Sequence, residues 1–397
     1  MKYSLLAALV VLLSLVYFSC ENNNESDINE NIDFPDLFPK ETGKDVIYVA
    51  NVPELMATTR LTKEGNKVVI IKDGEYEISE PIRISGDGII YRSESENRDR
   101  VIIKGKGITG NITQIFTVSG KTFGLKDISL GEVSGSGIVI HGEKNTDSIY
   151  VQNVRFYNTR NQMILASCDE DYSDDHADFG TIEDCLFEHT NHKTPAGISG
   201  GVDIYSGSNW RISNCTFKNI NTADHKESSG AIRFRKASEK CTAENNVIIN
   251  CDRGILFGTN NEAHTGGIIR NNMIYVTRES GIYICNAKDV KVYNNTIFSS
   301  SDYPNSIECF DEEGNIEIIN NLTNKNISSK NQSTARVENN ITHAEENWFK
   351  NASQGNLHLA KNVTEVVNTA ITLDDVSIDK DGDRRMAYMS DIGADER

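Results

Sequence analysis

The chain has 397 residues, a formal net charge of −18 and 38% hydrophobic residues. This acidic balance argues against nucleic acid as a partner, because nucleic-acid-binding domains carry a basic surface. Residues 44–345 contain no Pro-rich or Gly/Ser-rich linker, so one repeat domain is expected rather than the two or three domains that this length would otherwise predict.

The first residues predict export. Lys2 precedes an apolar run over residues 5–18, which is shorter than the roughly 20 residues that span a membrane. The run ends in Ser19-Cys20 and resembles a bacterial lipoprotein box, which implies a signal peptide over residues 1–19 and lipidation of Cys20. An ordinary signal peptide followed by a coincidental cysteine is the alternative.

Residues 20–43 are polar, acidic and rich in Asn, a composition typical of a flexible tether. An acidic stretch after a lipidated cysteine resembles the export signal of Bacteroidota surface lipoproteins. We therefore expect an outer-membrane lipoprotein exposed at the cell surface, attached to the membrane only through its lipid.

A cap is predicted at the start of the folded part. A short strand over residues 46–49 is followed by Pro53, and proline favours the first turn of a helix. A helix here would cover the open end of the first coil, which a solenoid requires.

A recurrent signature dominates the rest of the chain: an Asn or Asp between apolar residues that alternate with period two. Successive copies are separated by 19 to 31 residues, a spacing that indicates stacked structural repeats. The flanking Val, Ile and Phe predict strands, and Asn suits the turn because it tolerates left-handed backbone and can bond to the Asn of the next coil. An all-β, right-handed parallel β-helix is therefore predicted over residues 44–345. The signature residues are Asn153, Asp184, Asn214, Asn245, Asn271, Asn294, Asn320 and Asn339, and Asp127 is the corresponding residue in an earlier coil.

Each coil has a second strand before its Asx corner. Alternation places Asp203, Tyr205, Arg233 and Arg235 on the outside of two such strands. Asp203 and Arg233 are 30 residues apart, so they should stack in adjacent coils.

Cys185 and Cys215 occupy the same position in consecutive coils. They are interpreted as buried thiols, with a disulfide between stacked coils as the alternative. No Cys-x-x-Cys pair occurs, so structural zinc is not indicated.

Positive charge is concentrated in residues 189–240, which we call the basic island. It contains eight Lys and Arg against four acids. Two long loops, residues 168–179 and 189–201, adjoin it, and long loops on a rigid solenoid commonly build a site.

The coil pattern over about residues 45–345 resembles the pectate-lyase-like right-handed β-helix superfamily. Residues 249–258, His264 and residues 266–272 are similar to a group of bacterial β-helix proteins, and residues 346–397 resemble a C-terminal capping segment of secreted β-helix proteins. The superfamily contains polysaccharide lyases, epimerases, glycosidases and phage tailspikes. The resemblance implies the fold, whereas activity depends on the site.

The chemistry favoured by these residues is β-elimination on a uronic acid, which needs a cation on the carboxylate, a base and an acid. Arg233 and Arg235 are predicted to bind the carboxylate, Lys193 or His192 to act as base, and Tyr205 as acid. Asp203 completes this catalytic group of Lys193, Asp203, Tyr205, Arg233 and Arg235. The alternative is a solvated ion pair between coils that contributes under about 1 kcal/mol.

Further candidates lie nearby. The substrate-binding candidates are His192, Trp210, Arg253 and His264. A position at the edge of the core is the alternative for Trp210, and a structural pairing is the alternative for Arg253. The long loop of residues 168–179 is acidic. It could hold calcium through Asp171, Asp174, Asp175 and Asp178, since calcium prefers oxygen ligands, or its carboxylates could simply be solvated.

The sequence thus predicts a monomeric, carbohydrate-active surface protein whose partner is an acidic polysaccharide. The reaction that it favours most is cleavage by β-elimination, as in a polysaccharide lyase. The alternatives are a non-catalytic glycan-binding or adhesion protein, or a glycosidase or uronate epimerase on the same fold.

Overall fold

The computed structural model describes residues 38–168, 176–190, 199–222, 230–310, 314–330 and 335–397. The chain winds as a right-handed parallel β-helix, as predicted. Three parallel sheets, named A, B and C, are built from strands of successive coils. Their apolar inner faces form one continuous core, because strand neighbours in a parallel ladder keep equivalent residues on the same face.

The strands are given by sheet, in the order in which they pair. Sheet A contains Asp45–Val49, Lys67–Ile71, Ile90–Ser93, Gly124–Lys126, Tyr150–Gln152, Thr181–Glu183, Arg211–Ser213, Thr242–Glu244, Ile268–Arg270, Lys291–Tyr293, Glu317–Ile319 and Arg336–Glu338. Sheet B contains Gly74–Glu77, Val101–Lys104, Ser129–Val133, Arg155–Thr159, Leu186–Glu188, Thr216–Lys218, Val247–Cys251, Met273–Val276, Thr296–Ser299 and Leu322–Thr323. Sheet C contains Ile82–Ile84, Gln114–Val118, Ser136–His141, Gln162–Ser167, Gly200–Tyr205, Ile232–Arg235, Ile255–Phe257, Ile282–Cys285, Asn305–Phe310 and Asn326–Lys330.

The remaining elements are short. A three-stranded sheet joins Ser238–Glu239, His264–Thr265 and Ala287–Lys288, an antiparallel pair joins Phe349–Asn351 and Asn356–Leu359, and 3₁₀ turns span Gly142–Lys144, Glu346–Trp348 and Ala352–Gln354.

The predicted cap is the α-helix Val52–Leu61. The Asn51 side chain accepts a hydrogen bond from the Glu54 N–H, and the Glu54 carboxylate accepts one from the Ala50 N–H. These two bonds satisfy N–H groups that a helix start leaves without partners. Leu55 is fully buried in the core of the first coils. Within the described part of the chain, no helix has the length and apolar character needed to cross a membrane.

The Asx signature marks one corner of each described coil from Asp127 onward. All eight predicted residues, and Asp127 before them, have φ between 50 and 59°, which is the left-handed region that Asn and Asp tolerate best. Each one ends a sheet A strand, so the left-handed residue turns the chain from sheet A into sheet B. The prediction of these corners is confirmed.

The residue after each of the later corners forms a buried ladder. Asn246, Asn272, Asn295 and Asn321 have no exposed surface. Each Nδ2 donates to the Oδ1 of the Asn in the next coil, at 2.9 to 3.0 Å, and the last donates to Asn340. Each Nδ2 also donates to a backbone carbonyl of the preceding coil, so every amide links three successive coils and the ladder stabilises one register of the stack.

Cys185 and Cys215 continue the same column toward the N-terminus. The Cys215 N–H donates to Asn246 Oδ1 at 3.0 Å, and the Val154 N–H points at Cys185 Sγ at 3.4 Å. Both cysteines are buried and free, so the thiol interpretation holds. Burial raises the pKa of Cys215 well above its ordinary value, which keeps this thiol unreactive.

The C-terminal segment packs over sheet B and the Asx corners. Its apolar residues form a second core with Met273 and Leu322. The Gly393 N–H donates to the Asn320 carbonyl, and the Ala394 N–H donates to Thr296 Oγ1 at 2.9 Å. The segment therefore covers the flank of the last coils.

We predict that Asn272→Ala lowers the free energy of unfolding by about 2–4 kcal/mol, because the buried N–H of Asn246 loses its acceptor and the Nδ2 of Asn246 loses one of its acceptors. Equilibrium urea unfolding followed by circular dichroism measures the change. Asn340→Ala is the control: Asn340 ends the ladder and is half-exposed, so its loss should be about half as large or less. Equal losses for the two variants would contradict a cooperative buried ladder.

Candidate functional site

Four of the five residues of the predicted catalytic group, all except Lys193, are described, and they lie on the outward side of sheet C. Asp203 pairs in register with Arg233, and Tyr205 with Arg235. The 30-residue gap is therefore one step of the stack, and no slip in register separates the four residues. The sequence prediction that they meet on one surface is confirmed geometrically, whereas their catalytic roles stay a prediction.

Asp203 is the centre of this group and is fully buried. Its Oδ1 accepts from Arg233 Nε at 3.0 Å and from Arg235 Nε at 3.3 Å, while its Oδ2 accepts from Arg233 Nη2, from Arg235 Nη2 at 3.2 Å and from Gln162 Nε2 at 3.3 Å. The ion pair between coils that the alternative predicted is therefore present, but it is buried rather than solvated, because the two guanidinium groups cover the carboxylate. With both oxygens engaged, Asp203 positions the arginines and is not available as a base.

Arg235 connects this pair to a second acid. Its Nη1 donates to Glu262 Oε2 at 2.7 Å, and its guanidinium lies 3.8 Å from the centroid of the Tyr205 ring. Glu262 was not predicted from the sequence. Its loop closes through a bridge with Thr259, and no strand periodicity marks such a position. We call Asp203, Tyr205, Arg233, Arg235 and Glu262 the arginine cluster.

The basic island carries less free positive charge than its composition indicates. Two arginines and two acids balance within the arginine cluster. Arg211, also in the island, is paired with Glu244 at 2.6 Å and Glu183 at 3.4 Å. Neighbouring coils supply these acids, so a count along the chain misses the pairing.

Two positions were left open for Trp210, stacking on a sugar and packing at the edge of the core, and its 1% exposure agrees with the second. Its Nε1 donates to the Ala177 carbonyl, and its ring leaves no room for a side chain at Gly180. Stacking on a saccharide needs an exposed ring face, so Trp210 serves the core instead. A Gly-Ser-Asn turn precedes it, which made an exposed position plausible from sequence.

His264 is also inside the structure, with no exposed surface. Its Nε2 lies 2.7 Å from the Gly266 carbonyl, and its ring centroid is 4.4 Å from that of Phe257. Contact with a substrate would require this ring to be accessible, so the predicted binding role does not fit. The glycines around His264 allow tight packing rather than an open site.

Arg253 is half-buried and pairs with Glu279 through its Nε and Nη2. Its guanidinium lies 5.6 Å from the Tyr283 ring centroid. This pairing accounts for its position, and a contact with substrate stays a prediction.

Several predicted residues fall outside the described part of the chain. These are Cys20, Asp171, Asp174, Asp175, His192 and Lys193, and their roles stay predictions. Asp178 is described: its Oδ1 accepts the Ser208 N–H at 2.7 Å, and its own N–H donates to Asp147 Oδ1. Asp178 thus links the turns of neighbouring coils, and one of its oxygens is already occupied.

Sheet C carries a further acid in the same column as Asp203 and Arg233. Register places Leu256, Tyr283 and Glu308 at successive steps after Arg233. Glu308 is 3% exposed and accepts from Tyr303 Oη at 2.8 Å and Asn305 Nδ2 at 2.7 Å. Burial, together with Glu308, raises the pKa of Tyr303 to about 12, so this phenol stays protonated and donates.

The chain matches the family model described as the right handed beta helix region, over residues 136–323 and 200–375. Together these overlapping spans exceed half of the chain. The chain belongs to this right-handed β-helix family. No curated protein sequence matches it.

Among solved structures, this β-helix protein is similar to pectate lyase Pel9A, with a TM-score of 0.61 and 14% identity over 89% of this chain and 96% of that chain. It is also similar to an alginate lyase from Paenibacillus sp. str. FPU-7 (TM-score 0.37, 11% identity, 68% of this chain and 97% of that chain) and to the A-module of the Azotobacter vinelandii mannuronan C-5 epimerase AlgE4 (TM-score 0.38, 15% identity, 74% and 89%). At 14% identity, the likeness to pectate lyase Pel9A establishes the fold alone.

We predict that Asp203→Asn lowers the free energy of unfolding by about 3 kcal/mol or more, since two arginines lose the only charge that they share. Urea unfolding at pH 7 measures it. Glu188→Gln on sheet B is the control, because Glu188 pairs with a single arginine, Arg155, whose side chain is 27% exposed, and its loss should stay near 1 kcal/mol. A loss for Asp203→Asn no larger than that of the control would contradict the shared buried carboxylate.

Burial lowers the pKa of both His264 and His189 to about 4, against an ordinary value near 6.5. The folded state therefore prefers the neutral ring, and the resulting stability is complete above about pH 6.5 and declines as the pH falls toward 4. We predict that the urea midpoint falls over this window, and that His264→Gln makes the decline shallower. An unchanged slope in His264→Gln would contradict a buried neutral His264.

Proposed function

We propose that this protein binds an acidic polysaccharide along the outward face of sheet C and cleaves it by β-elimination at the arginine cluster. The observation that carries the proposal is the placement of Arg233 and Arg235 in register on adjacent strands, both held by one buried carboxylate. The fold is also that of pectate lyase Pel9A, which makes an acidic glycan a natural partner to test.

The arginines suit a uronate carboxylate for a physical reason. Arg233 and Arg235 keep 12% and 14% of their side chains exposed while Asp203 fixes their orientation. Pre-oriented guanidinium groups lose little conformational entropy when they bind a carboxylate. Arg233 donates to Asp203 through Nε and Nη2, and among the described residues no hydrogen bond engages its Nη1, so this edge is open to a ligand.

The reaction assigns one role to each group. The arginines stabilise negative charge that develops on the carboxylate when a base removes the proton from C5. The C4–O bond then breaks, a C4=C5 double bond forms, and the leaving oxygen takes a proton. Tyr205 is proposed as the proton donor, and Lys193 or His192 in the adjoining loop as the base.

A second candidate function is glycan binding without catalysis. It is favoured by the neutral balance of the arginine cluster: Asp203 and Glu262 are both engaged by arginine, so neither is a free base. Under this alternative the same surface would retain an acidic glycan and release no product. A glycosidase would instead release reducing ends without a double bond, and an epimerase would change uronate composition without cleavage.

We predict new absorbance in the unsaturated-uronate band when the protein is incubated with one of alginate, pectate, chondroitin or ulvan. Arg233→Gln should lower kcat/KM on the order of 100-fold, because it removes charge stabilisation from the transition state. Lys193→Ala should abolish the signal if Lys193 is the base.

The matched control is Arg155→Gln. Arg155 pairs with Glu188 and lies 4.8 Å from the Tyr157 ring, so it reproduces the arginine–acid–tyrosine arrangement on sheet B, and its activity should match the wild type. Absence of the unsaturated-uronate absorbance with all four polymers would refute cleavage by β-elimination. Retention of an acidic glycan without product would support the binding alternative.

We also propose that the protein is an outer-membrane lipoprotein displayed at the cell surface through Cys20. Metabolic labelling with a palmitate analogue, followed by protease treatment of intact cells, tests this proposal. Cys20→Ala should lose the label and release the protein from the membrane. Labelled protein that resists protease until cells are lysed would contradict surface display.

A further inference from the structure

A cleft, separate from the arginine cluster, lies on the outward face of sheet C, at the opposite end from the last coils. It has a volume of about 350 Å³ and lies where the cap helix Val52–Leu61 meets the first sheet C strands. Its size is at the lower end of the range of small-molecule sites. It is lined by Thr59, Lys63, Arg83, Ser85, Thr117, Ser119, His141 and Lys144.

The chemistry of this lining is one-sided. Lys63, Arg83 and Lys144 bring three positive charges, and Thr59, Ser85, Thr117 and Ser119 bring four hydroxyl groups. The lining contains no carboxylate. The chain has a net charge of −18, so its overall composition does not predict three cations around one cleft.

The cations of the cleft differ from other lysines on the surface. Lys67 pairs with Asp45 and Lys104 with Glu75, each at 2.6 Å. Within the described part of the chain, neither Lys63 nor Lys144 has an ion-pair partner. Arg83 approaches Glu80 only at 3.7 Å, with both side chains more than half exposed, a contact that contributes little. The cleft therefore keeps its positive charge for a ligand.

Register explains how these residues meet. Arg83 and Thr117 are paired neighbours in sheet C and both point outward, and His141 is carried on the next strand. The cap helix adds Thr59, the turn that follows the helix adds Lys63, and Lys144 comes from the 3₁₀ turn Gly142–Lys144. A wall contributed by the cap turns an open sheet face into a cleft.

We infer that this cleft is an anion-recognising saccharide subsite, which binds a carboxylate or sulfate group of a sugar through the three cations while the hydroxyl groups bind the ring. The inference rests on the proposed function for the identity of the ligand as an acidic glycan. Arg83 and Arg233 lie five strand steps apart in sheet C, or roughly 24 Å at about 4.8 Å per step. One extended glycan therefore reaches from the cleft to the arginine cluster.

The test is isothermal titration of the full chain with three probes: an unsulfated oligogalacturonate, a sulfated dextran oligosaccharide and neutral dextran of equal length. Wild-type protein should bind at least one anionic probe and ignore the neutral one. The preferred probe distinguishes carboxylate from sulfate. Lys63→Ala/Lys144→Ala should weaken that binding at least about tenfold, and the loss should shrink as salt is raised.

The control is Lys67→Ala/Lys104→Ala, which removes two partly buried, already paired lysines from sheets A and B and should leave affinity unchanged. Equal affinity of the cleft variant and the wild type would overturn the inference. If Arg233→Gln abolishes product while Lys63→Ala/Lys144→Ala keeps full affinity, the proposed β-elimination is supported and the proposed subsite is refuted. If Lys63→Ala/Lys144→Ala loses affinity but the wild-type protein cleaves none of the polymers, the subsite is supported and the proposed β-elimination is refuted.

Discussion

The buried asparagine ladder is the constraint on which the rest of the structure depends. An amide inside an apolar core must find a donor and an acceptor. Here the Nδ2 of each Asn donates to the Asn of the next coil and, from Asn272 onward, its Oδ1 accepts from the Asn of the preceding coil. A shift of one residue in any coil would leave these groups without partners and turn inward side chains outward. The left-handed corner residue beside each ladder position makes the turn that this stacking needs.

Fixed register has a direct consequence for function. Residues separated by 30 positions, such as Asp203 and Arg233, become lateral neighbours, so a site can be assembled from single positions on successive strands. Burial of Asp203 under two arginines then makes the arrangement rigid. Because both oxygens of Asp203 are engaged, this carboxylate does not act as a base. The base of the proposed reaction therefore has to come from the loops beside sheet C.

Sequence reasoning captured what depends on local chemistry and period. The Asx corners, the cap helix after Asn51 and the pairing of Tyr205 with Arg235 follow from backbone preference and repeat spacing. It failed where the environment is built by distant residues. Trp210 and His264 are buried by neighbouring coils, Glu262 reaches Arg235 through an irregular loop, and the cleft at Lys63 and Lys144 needs the cap helix to be placed on sheet C. None of these has a signal in spacing alone.

The measurement that tests the central claim most directly is a crystal structure of the protein with a bound acidic oligosaccharide long enough to cover six strands of sheet C. Density for the sugar should follow the outward face of sheet C, with a carboxylate in contact with Arg233. An oligosaccharide bound to the outward face of sheet A or sheet B, with the arginine cluster left unoccupied, would contradict it.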